Sequence, residues 1–264
     1  MSIDAIPIGI IFAATIIVVV TSIEAGRWLG NAVRRRSEDE KESTVSAIAG
    51  SILGLVAFIL AFTFGIVTDR YDARKALVRD EANAIGTAYL RSDFLPESDR
   101  AEATELFREY VDCRLAAAQS RGLDRIRKAM IESNRIQRQL WDMAVVNARK
   151  DIHSTVAALY IDSLNQVIDI HALRVAVGLQ ARIPAGIWLV LCVLVVLGIL
   201  AVGYQIAIAG SRRPRVTLIL AVSFSLVIML IASLDQPQSG FIKVSQQPLV
   251  DLRASMDAGI GDKH

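Results

Sequence analysis

The stretch "FTFGIVTDRYDARKALVRDEANAIGTAYLR" (residues 62–91) decides the architecture of this chain. It begins as apolar sequence of the kind that crosses a bilayer and changes, within one helical turn, to dense alternating charge. It contains no proline, which would end a helix at the boundary. The stretch therefore predicts that a single helix leaves the bilayer and continues into water, carrying a charged collar of Asp69, Arg70, Asp72, Arg74 and Lys75.

The composition is that of a membrane protein. Of 264 residues, 53% are apolar and only 6 are proline, and the mean hydropathy is +0.43, above that of an average soluble domain. The 29 basic and 27 acidic residues nearly cancel, which argues against nucleic acid as a partner. Two cysteines cannot build a disulfide scaffold, and no Cys/His spacing indicates zinc.

Four apolar runs are long enough to cross a bilayer, which takes roughly 20 helical residues. We predict an all-α integral membrane protein with four transmembrane helices and a helical extramembrane domain inserted between spans two and three. The predicted segments are transmembrane helices at 1–24, 45–68, 185–209 and 216–234, short basic loops at 25–44 and 210–215, the extramembrane helical domain at 69–184, and a structured tail at 235–264.

The charge of the two short loops predicts the orientation. Lysine and arginine accumulate in short cytoplasmic loops, so both loops are expected in the cytoplasm and the helical domain outside. The residues on which this rests are Arg27, Arg34, Arg35, Arg36 and Lys41 in the first loop and Arg212, Arg213 and Arg215 in the second.

Within the helical domain, proline, glycine and capping residues mark the breaks between helices. Breaks are predicted near Pro96, near Gly122, and at 149–155, where Asp151 or Ser154 would cap the last helix. The first and last of these helices are expected to continue spans two and three. The run "GFIKVSQQPLVDL" (240–252) is the only candidate strand, and this apolar tail is expected to fold back on the helical domain or on a neighbouring subunit.

The second span carries the candidate functional residues. Gly54, Phe58 and Phe62 follow one another at four-residue spacing, so they share one helix face. Small residues on neighbouring rows would let other helices approach closely. Two interpretations stay open: the face is a packing seam, or several copies place the phenylalanines around a symmetry axis, where an apolar ring can gate ions by dewetting.

The charged residues beyond the span also allow two interpretations. The collar is either a solvated helix with local ion pairs, such as one between Asp72 and Lys75, or part of an intersubunit network. Further along, Glu81 lies in an apolar stripe formed by Leu77, Ala84, Ile85 and Ala88. A buried carboxylate is costly unless it is paired, so an arginine or lysine from another helix is expected beside Glu81.

An enzyme is not expected. His153, His171 and His264 are far apart in sequence, no residues stand out as catalytic, and neither a metal nor a cofactor is predicted. His171 is more typical of a core or interfacial histidine than of a ligand. The apolar runs of the four spans, which begin at about Ala5 and end at about Ile23 in the first, carry no charged residues, and this argues against a proton-coupled transporter.

The run "AFTFG" with "TDRYDARKALVRDEANAIGTAYLR", together with the tail "LDQPQSGFIKVSQQPLVDLRASM", resembles the bacterial bestrophin-like family. These four-span proteins, mostly of unassigned function, are distantly similar to the bestrophin anion channels. In those channels a Gly-Phe pair near the end of span two precedes an Asp-Arg pair, aromatics and an Ala-Arg-Lys turn. This sequence offers Phe62, then Asp69-Arg70, Tyr71 and 73–75.

The resemblance implies a homo-oligomer, with five copies by analogy, in the plasma (inner) membrane of a bacterium, with membrane lipid and inorganic anions as partners. It places the pore neck at Gly54, Phe58 and Phe62. Three features depart from the pattern: the charged turn is one residue shorter, a tandem tryptophan is reduced to Tyr71, and Gly54 has no side chain to narrow a pore. Bestrophins also keep the segment between spans two and three in the cytoplasm, whereas the loop charges here place it outside.

Two function classes follow from these residues. The first is an oligomeric ion channel conducting anions, with transmembrane helix 2 lining the pore. The second is a non-conducting membrane assembly whose helical domain binds a partner or senses the state of the cell envelope, in which Phe58 and Phe62 would be packing residues.

Overall fold

A computed structural model describes residues 7–36, 42–120, 123–179, 182–210, 214–236 and 240–261. Several residues used in the sequence predictions lie outside these ranges, namely Lys41, Gly122, Arg212, Arg213 and His264.

The described residues form eight α-helices joined by short connections, and the predicted all-α class is confirmed. The helices are α1 (Ile8–Arg34), α2 (Glu42–Arg91), α3 (Glu97–Gln119), α4 (Leu123–Ala148), α5 (Thr155–Leu179), α6 (Ala185–Ile208), α7 (Pro214–Asp235) and α8 (Gln247–Gly261), with a short 3-10 helix at Ser92–Phe94.

Four helices, α1, α2, α6 and α7, are long and apolar enough to cross a membrane, so the protein is a multi-pass membrane protein. Helix α1 continues through Arg34, so the first part of the predicted basic loop at 25–44 is helical. Helix α2 is unbroken over 50 residues, as the absence of proline predicts.

The expectation that the last helix of the polar domain continues into span three is wrong. Helix α5 ends at Leu179 and α6 begins at Ala185. Pro184 takes the N-cap position of α6 in an extended conformation, with ψ of 139°, as is usual for an N-cap residue. A proline also disfavours helical geometry in the residue before it, here Ile183. The backbone N–H of Ile183 leaves the helical pattern and donates to Oδ1 of Asp235 at 3.1 Å.

The chain divides into two units. The membrane unit comprises Met1–Tyr71 and Arg182–Lys243, and the helical unit comprises Asp72–Ala181 and Val244–His264. Helix α2 contributes residues to both.

In the membrane unit, α1 packs closely against α6 and also contacts α7. Side chains at Gly26 or Gly203 would overlap the backbone carbonyls of Leu200 and Ile23, respectively. Small residues let transmembrane helices approach in this way and gain van der Waals contact. The apolar core around this seam includes Val19, Ile23, Leu191, Val195, Ile199 and Ile231.

The helical unit has its own apolar core, to which the tail contributes. Leu249 and Met256 of α8 are buried there, at 0% and 1% exposure, so the prediction that the tail folds back on the helical domain is confirmed. The candidate strand at 240–252 is wrong, because 240–246 has no regular structure and α8 begins at Gln247. The seven-residue spacing of Leu249 and Met256 puts both on one helix face.

The predicted caps of the helical unit are present where the structure describes them. Pro96 precedes the first turn of α3. The hydroxyl of Ser154 accepts a hydrogen bond from the backbone N–H of Ala157 at 3.2 Å, the geometry of an N-cap. Ser154, rather than Asp151, therefore caps α5.

We expect Gly203→Ala to destabilise the membrane unit, because the added methyl meets the backbone of Ile23 and forces α1 and α6 apart. Overpacking of this kind typically costs about 1–3 kcal/mol. Gly186→Ala in α6 is the matched control, since its methyl would meet nothing within 4 Å. Thermal unfolding in detergent should show a lower midpoint for Gly203→Ala alone; equal midpoints would contradict the close approach.

Candidate functional site

The membrane-spanning part of α2 has one face that packs within the chain. Val56, Leu60 and Val67 are buried at 0%, 7% and 0% exposure, and Val56 lies against Gly198 of α6. Thr63 is also buried, and its hydroxyl donates to the backbone carbonyl of Ile59 at 2.7 Å, so burying it leaves no donor unsatisfied. These residues fix the rotation of α2 about its axis.

The opposite face of α2 carries the predicted neck residues and is open. Phe58 is 64% exposed and Phe62 is 63% exposed, and Gly54 is exposed as well. Because the three are spaced by four residues they lie along one row of the helix. The structure thus turns all three away from the rest of its own chain.

The small residues beside the phenylalanines are not used for packing within the chain. A side chain added at Gly50, Gly54 or Gly65 would meet nothing within 4 Å, and Ala57 and Ala61 are exposed. This differs from Gly26 and Gly203, where the neighbouring backbone is already in place. The face of α2 therefore remains free for lipid or for another copy of the chain.

Arg70 of the predicted collar makes a contact inside the membrane unit. Its Nη1 lies 3.7 Å from Oδ1 of Asp235, a residue only 6% exposed. Asp235 also accepts a hydrogen bond at its backbone oxygen from Arg182, at 2.7 Å. Asp235, at the end of α7, therefore contacts α2 through its carboxylate and the segment before α6 through its backbone oxygen. Asp69, next in sequence to Arg70, is exposed.

The remaining collar residues belong to the helical unit. Asp72 and Lys75 are exposed, and the expected local ion pair between them is absent among the described residues. Arg74 is buried at 8% exposure. The collar residues therefore differ in environment although they are close in sequence, and the intersubunit network stays a prediction.

Glu81 has the partners that its apolar surroundings require. It is completely buried; Oε1 accepts from Nε of Arg114 at 2.8 Å, and Oε2 pairs with Nη1 of Arg174. Arg174 also donates to Oε1 of Gln246. The prediction of a cationic partner from another helix is confirmed, and there are two such partners. The cluster joins α2, α3, α5 and the segment before α8.

The cluster has two cations for one carboxylate. Burial lowers the pKa of Arg174 to about 10 and also lowers the pKa of Arg114, because a low-dielectric surrounding disfavours the charged form. At neutral pH both guanidinium groups still carry their charge. The cluster therefore carries a net positive charge and links four segments in the core of the helical unit.

A second buried polar cluster, formed by His171, Tyr110 and Gln137, lies in the same unit. Of these residues, only the core position of His171 was predicted from the sequence. His171 is buried at 5% exposure, as expected of a core histidine; its Nδ1 lies 3.1 Å from the hydroxyl of Tyr110. That hydroxyl accepts from Nε2 of Gln137 at 2.9 Å. Tyr110 and Arg114 are four residues apart on α3, a spacing that could have indicated a shared buried face.

The protonation states of this chain of hydrogen bonds follow from burial. Burial raises the pKa of Tyr110 to about 12; burial, followed by the nearby charge of Arg114, lowers the pKa of His171 to about 4. Both groups are neutral at physiological pH. The Tyr110 hydroxyl can accept from Gln137 and at the same time donate to Nδ1 of His171, an arrangement in which the imidazole proton is on Nε2.

No metal centre accompanies these groups: the described parts of the chain hold no cluster of three or more His, Cys, Asp or Glu side chains arranged to bind a metal ion.

The comparisons with known proteins agree with this architecture. The family model for the bestrophin-like domain matches residues 14–249. A bacterial bestrophin homolog from Klebsiella pneumoniae, in a single-substitution variant, is 14% identical with a TM-score of 0.62, covering 97% of this chain and 98% of that one. Another structure of a Klebsiella pneumoniae homolog is 16% identical, with a TM-score of 0.61 and coverage of 96% and 97%.

These structural similarities, at low identity, concern the fold. No curated protein matches the sequence. The fold is that of a four-span helical membrane protein. Because the family model covers most of the chain, the protein belongs to the bestrophin-like family.

We expect Glu81→Ala to destabilise the helical unit by about 3–5 kcal/mol, because it leaves Arg114 and Arg174 buried without their carboxylate. Glu132→Ala is the control, since Glu132 pairs with Arg135 on the surface of α4 and surface pairs contribute little. Thermal midpoints in detergent, measured for both variants, check this. A midpoint for Glu81→Ala equal to that of Glu132→Ala would show that the Glu81 cluster does not stabilise the helical unit.

Stability should fall as the pH is lowered from about 6.5 to about 4, and His171 should account for part of the loss. The pKa of His171 is lower in the folded than in the unfolded state, so over this window the unfolded chain binds a proton that the folded chain does not. The expected contribution is up to about 3 kcal/mol.

The measurement compares unfolding midpoints of the wild type and His171→Asn across this pH range. Asparagine keeps an acceptor for Tyr110 but does not titrate. The wild type should lose more stability than the variant; parallel curves would contradict the buried neutral histidine.

Proposed function

We propose that this protein is a homo-oligomeric ion channel of the bacterial plasma membrane in which α2 lines the pore and Phe58 and Phe62 form its neck. The observation that carries the proposal is the open α2 face, on which both phenylalanines are more than 60% exposed beside a row of small residues. The resemblance to bestrophin channels supports five copies around one axis, with inorganic anions as the permeant species.

The small residues distinguish this face from an ordinary lipid-facing one. A helix that faces lipid alone gains nothing from glycine at Gly50, Gly54 and Gly65, whereas small residues let neighbouring helices come close. Copies of α2 around an axis would meet along the neighbouring row of small residues, Ala57, Ala61 and Gly65, which are also exposed. The phenylalanines would then project toward the axis and form an apolar constriction, which gates ions by dewetting rather than by charge.

The neck itself carries no charge, so the sign of the permeant ion depends on the residues beside it. The resemblance favours anions, but the exposed carboxylate of Asp69 disfavours them wherever it faces the ion path. Flux measurements therefore have to compare chloride with sodium in the same preparation.

A second candidate function is a non-conducting assembly whose helical unit binds a partner or senses the state of the cell envelope. The observation in its favour is that several large apolar side chains are exposed on the helical unit. Ile152 is 85% exposed, Leu90 67% and Phe94 49%, and a partner that covered them would bury apolar surface. In this alternative, α2 packs without an axial opening.

We expect purified protein in liposomes to pass chloride, and Phe58→Ala and Phe62→Ala each to raise the flux several-fold by widening the neck. Phe64→Ala is the matched control, because Phe64 is exposed at 39% but lies on another face of α2. Stopped-flow measurement with a chloride-sensitive dye checks the result. No flux from a correctly folded oligomer would favour the non-conducting assembly. Equal effects of all three variants would show that Phe58 and Phe62 do not form the neck.

We further propose that the short basic loops lie in the cytoplasm and the helical unit outside, from the loop charges. In a background lacking Cys113 and Cys192, a membrane-impermeant maleimide added to intact spheroplasts should label Ser98→Cys in the helical unit. It should leave Arg35→Cys at the end of α1 unlabelled until the cells are lysed. The reverse pattern would assign the helical unit to the cytoplasm, as in bestrophins.

A further inference from the structure

An open surface cleft, lined by both polar and apolar side chains, lies on the helical unit between α4 and α5. Its volume is about 400 Å³, within the range of small-molecule sites. The lining residues are Asn134, Gln137, Arg138, Trp141, Asn165 and Ile168. Neither the open face of α2 nor the Glu81 cluster contributes to this lining, so the channel proposal leaves the cleft without a role.

The polar side chains of the cleft are unused within the described chain. Asn134, Arg138, Trp141 and Asn165 make no hydrogen bond or ion pair with any described residue. Gln137 is only 9% exposed, and its Nε2 is already committed to the Tyr110 hydroxyl at 2.9 Å. Its Oε1 receives no donor from the described residues, so the buried amide presents an acceptor to the cleft.

The chemistry of the lining defines what would bind. Arg138 is the one charged residue among the six, and a guanidinium recognises a carboxylate through two parallel hydrogen bonds. The Gln137 carbonyl can only accept, so a ligand that bonds to it has to carry a donor such as a hydroxyl or amino group. Trp141 and Ile168 offer an apolar wall for the ligand's carbon skeleton.

We propose that the α4–α5 cleft binds a small organic carboxylate that also carries a hydroxyl or amino donor. The carboxylate pairs with Arg138, and the donor reaches the Gln137 carbonyl. The carbon skeleton lies against Trp141 and Ile168. This site does not depend on whether the protein conducts ions.

A chain of hydrogen bonds connects the cleft with the core of the helical unit. The Nε2 of Gln137 is hydrogen-bonded to the hydroxyl of Tyr110, and that hydroxyl is hydrogen-bonded to Nδ1 of His171 on α5. His171 is three residues before Arg174, which pairs with Glu81 on α2. A ligand that fixes the Gln137 amide therefore stabilises the contacts of α3, α4 and α5 around the Glu81 cluster.

The test uses the full-length protein in detergent and two matched pairs of probes at neutral pH. Gluconate and 6-aminohexanoate carry both a carboxylate and a donor, whereas sorbitol lacks the carboxylate and hexanoate lacks the donor. We expect a saturable rise in the thermal unfolding midpoint with gluconate or 6-aminohexanoate, and at least a tenfold weaker half-saturation with the corresponding comparator.

Three variants locate the site. Arg138→Gln and Gln137→Met should each weaken half-saturation at least tenfold, whereas Arg127→Gln, an exposed arginine elsewhere on α4, should leave it unchanged. The proposal is overturned if neither two-group probe saturates, or if all three variants respond like the wild type. It is also overturned if Arg138→Gln alters the oligomeric mass in light scattering, since the cleft would then be an interface between copies.

Discussion

The carboxylate of Glu81 is the constraint on which the helical unit depends. It lies in a stripe of apolar residues with no exposure to solvent, where an unpaired charge would be prohibitively costly. Arg114 and Arg174 reach it from α3 and α5, and Gln246 binds Arg174 from the C-terminal segment. The charge requirement therefore determines which four segments come together, whereas apolar packing alone would tolerate many arrangements.

In the membrane unit, the contact between α1 and α6 depends on close approach of the backbones, whereas Asp235 links α2, α7 and the segment before α6 through polar contacts. Gly26 and Gly203 bring the backbones of α1 and α6 into contact, while α2 packs through Val56 and its neighbours. This arrangement satisfies one face of α2 and leaves the other, with Phe58 and Phe62, open. Self-association would explain why this open face combines small residues with aromatics. The open face is the basis of the channel proposal.

The sequence predicted features that rest on local periodicity. The four apolar helices, the unbroken α2 and the buried stripe around Glu81 all follow from residue spacing, and the spacing of Gly54, Phe58 and Phe62 placed them on one face. The break between α5 and α6 was not predicted, because span three was expected to continue the last helix of the polar domain. The tail was ambiguous because its apolar residues fit both strand and helix periods over a short run.

The partners of Glu81 could not be identified from the sequence, because Arg114 and Arg174 are 33 and 93 residues away along the chain. Their selection depends on how three helices pack, which no local pattern encodes. The same holds for Gln137, which reads as a surface residue of an amphipathic helix until Tyr110 and His171 are placed beside it. In both cases the sequence indicated that a polar group needed a partner but not which one.

The central claim is that the open face of α2 lines the axis of an oligomer. Electron cryomicroscopy of the protein in lipid nanodiscs tests it most directly, because the map shows which helix lies nearest the symmetry axis. We expect the map to show α2 at the axis, with the side chains of Phe58 and Phe62 arranged around an opening. A map in which these phenylalanines face lipid, or in which α2 helices pack without an opening, would contradict it.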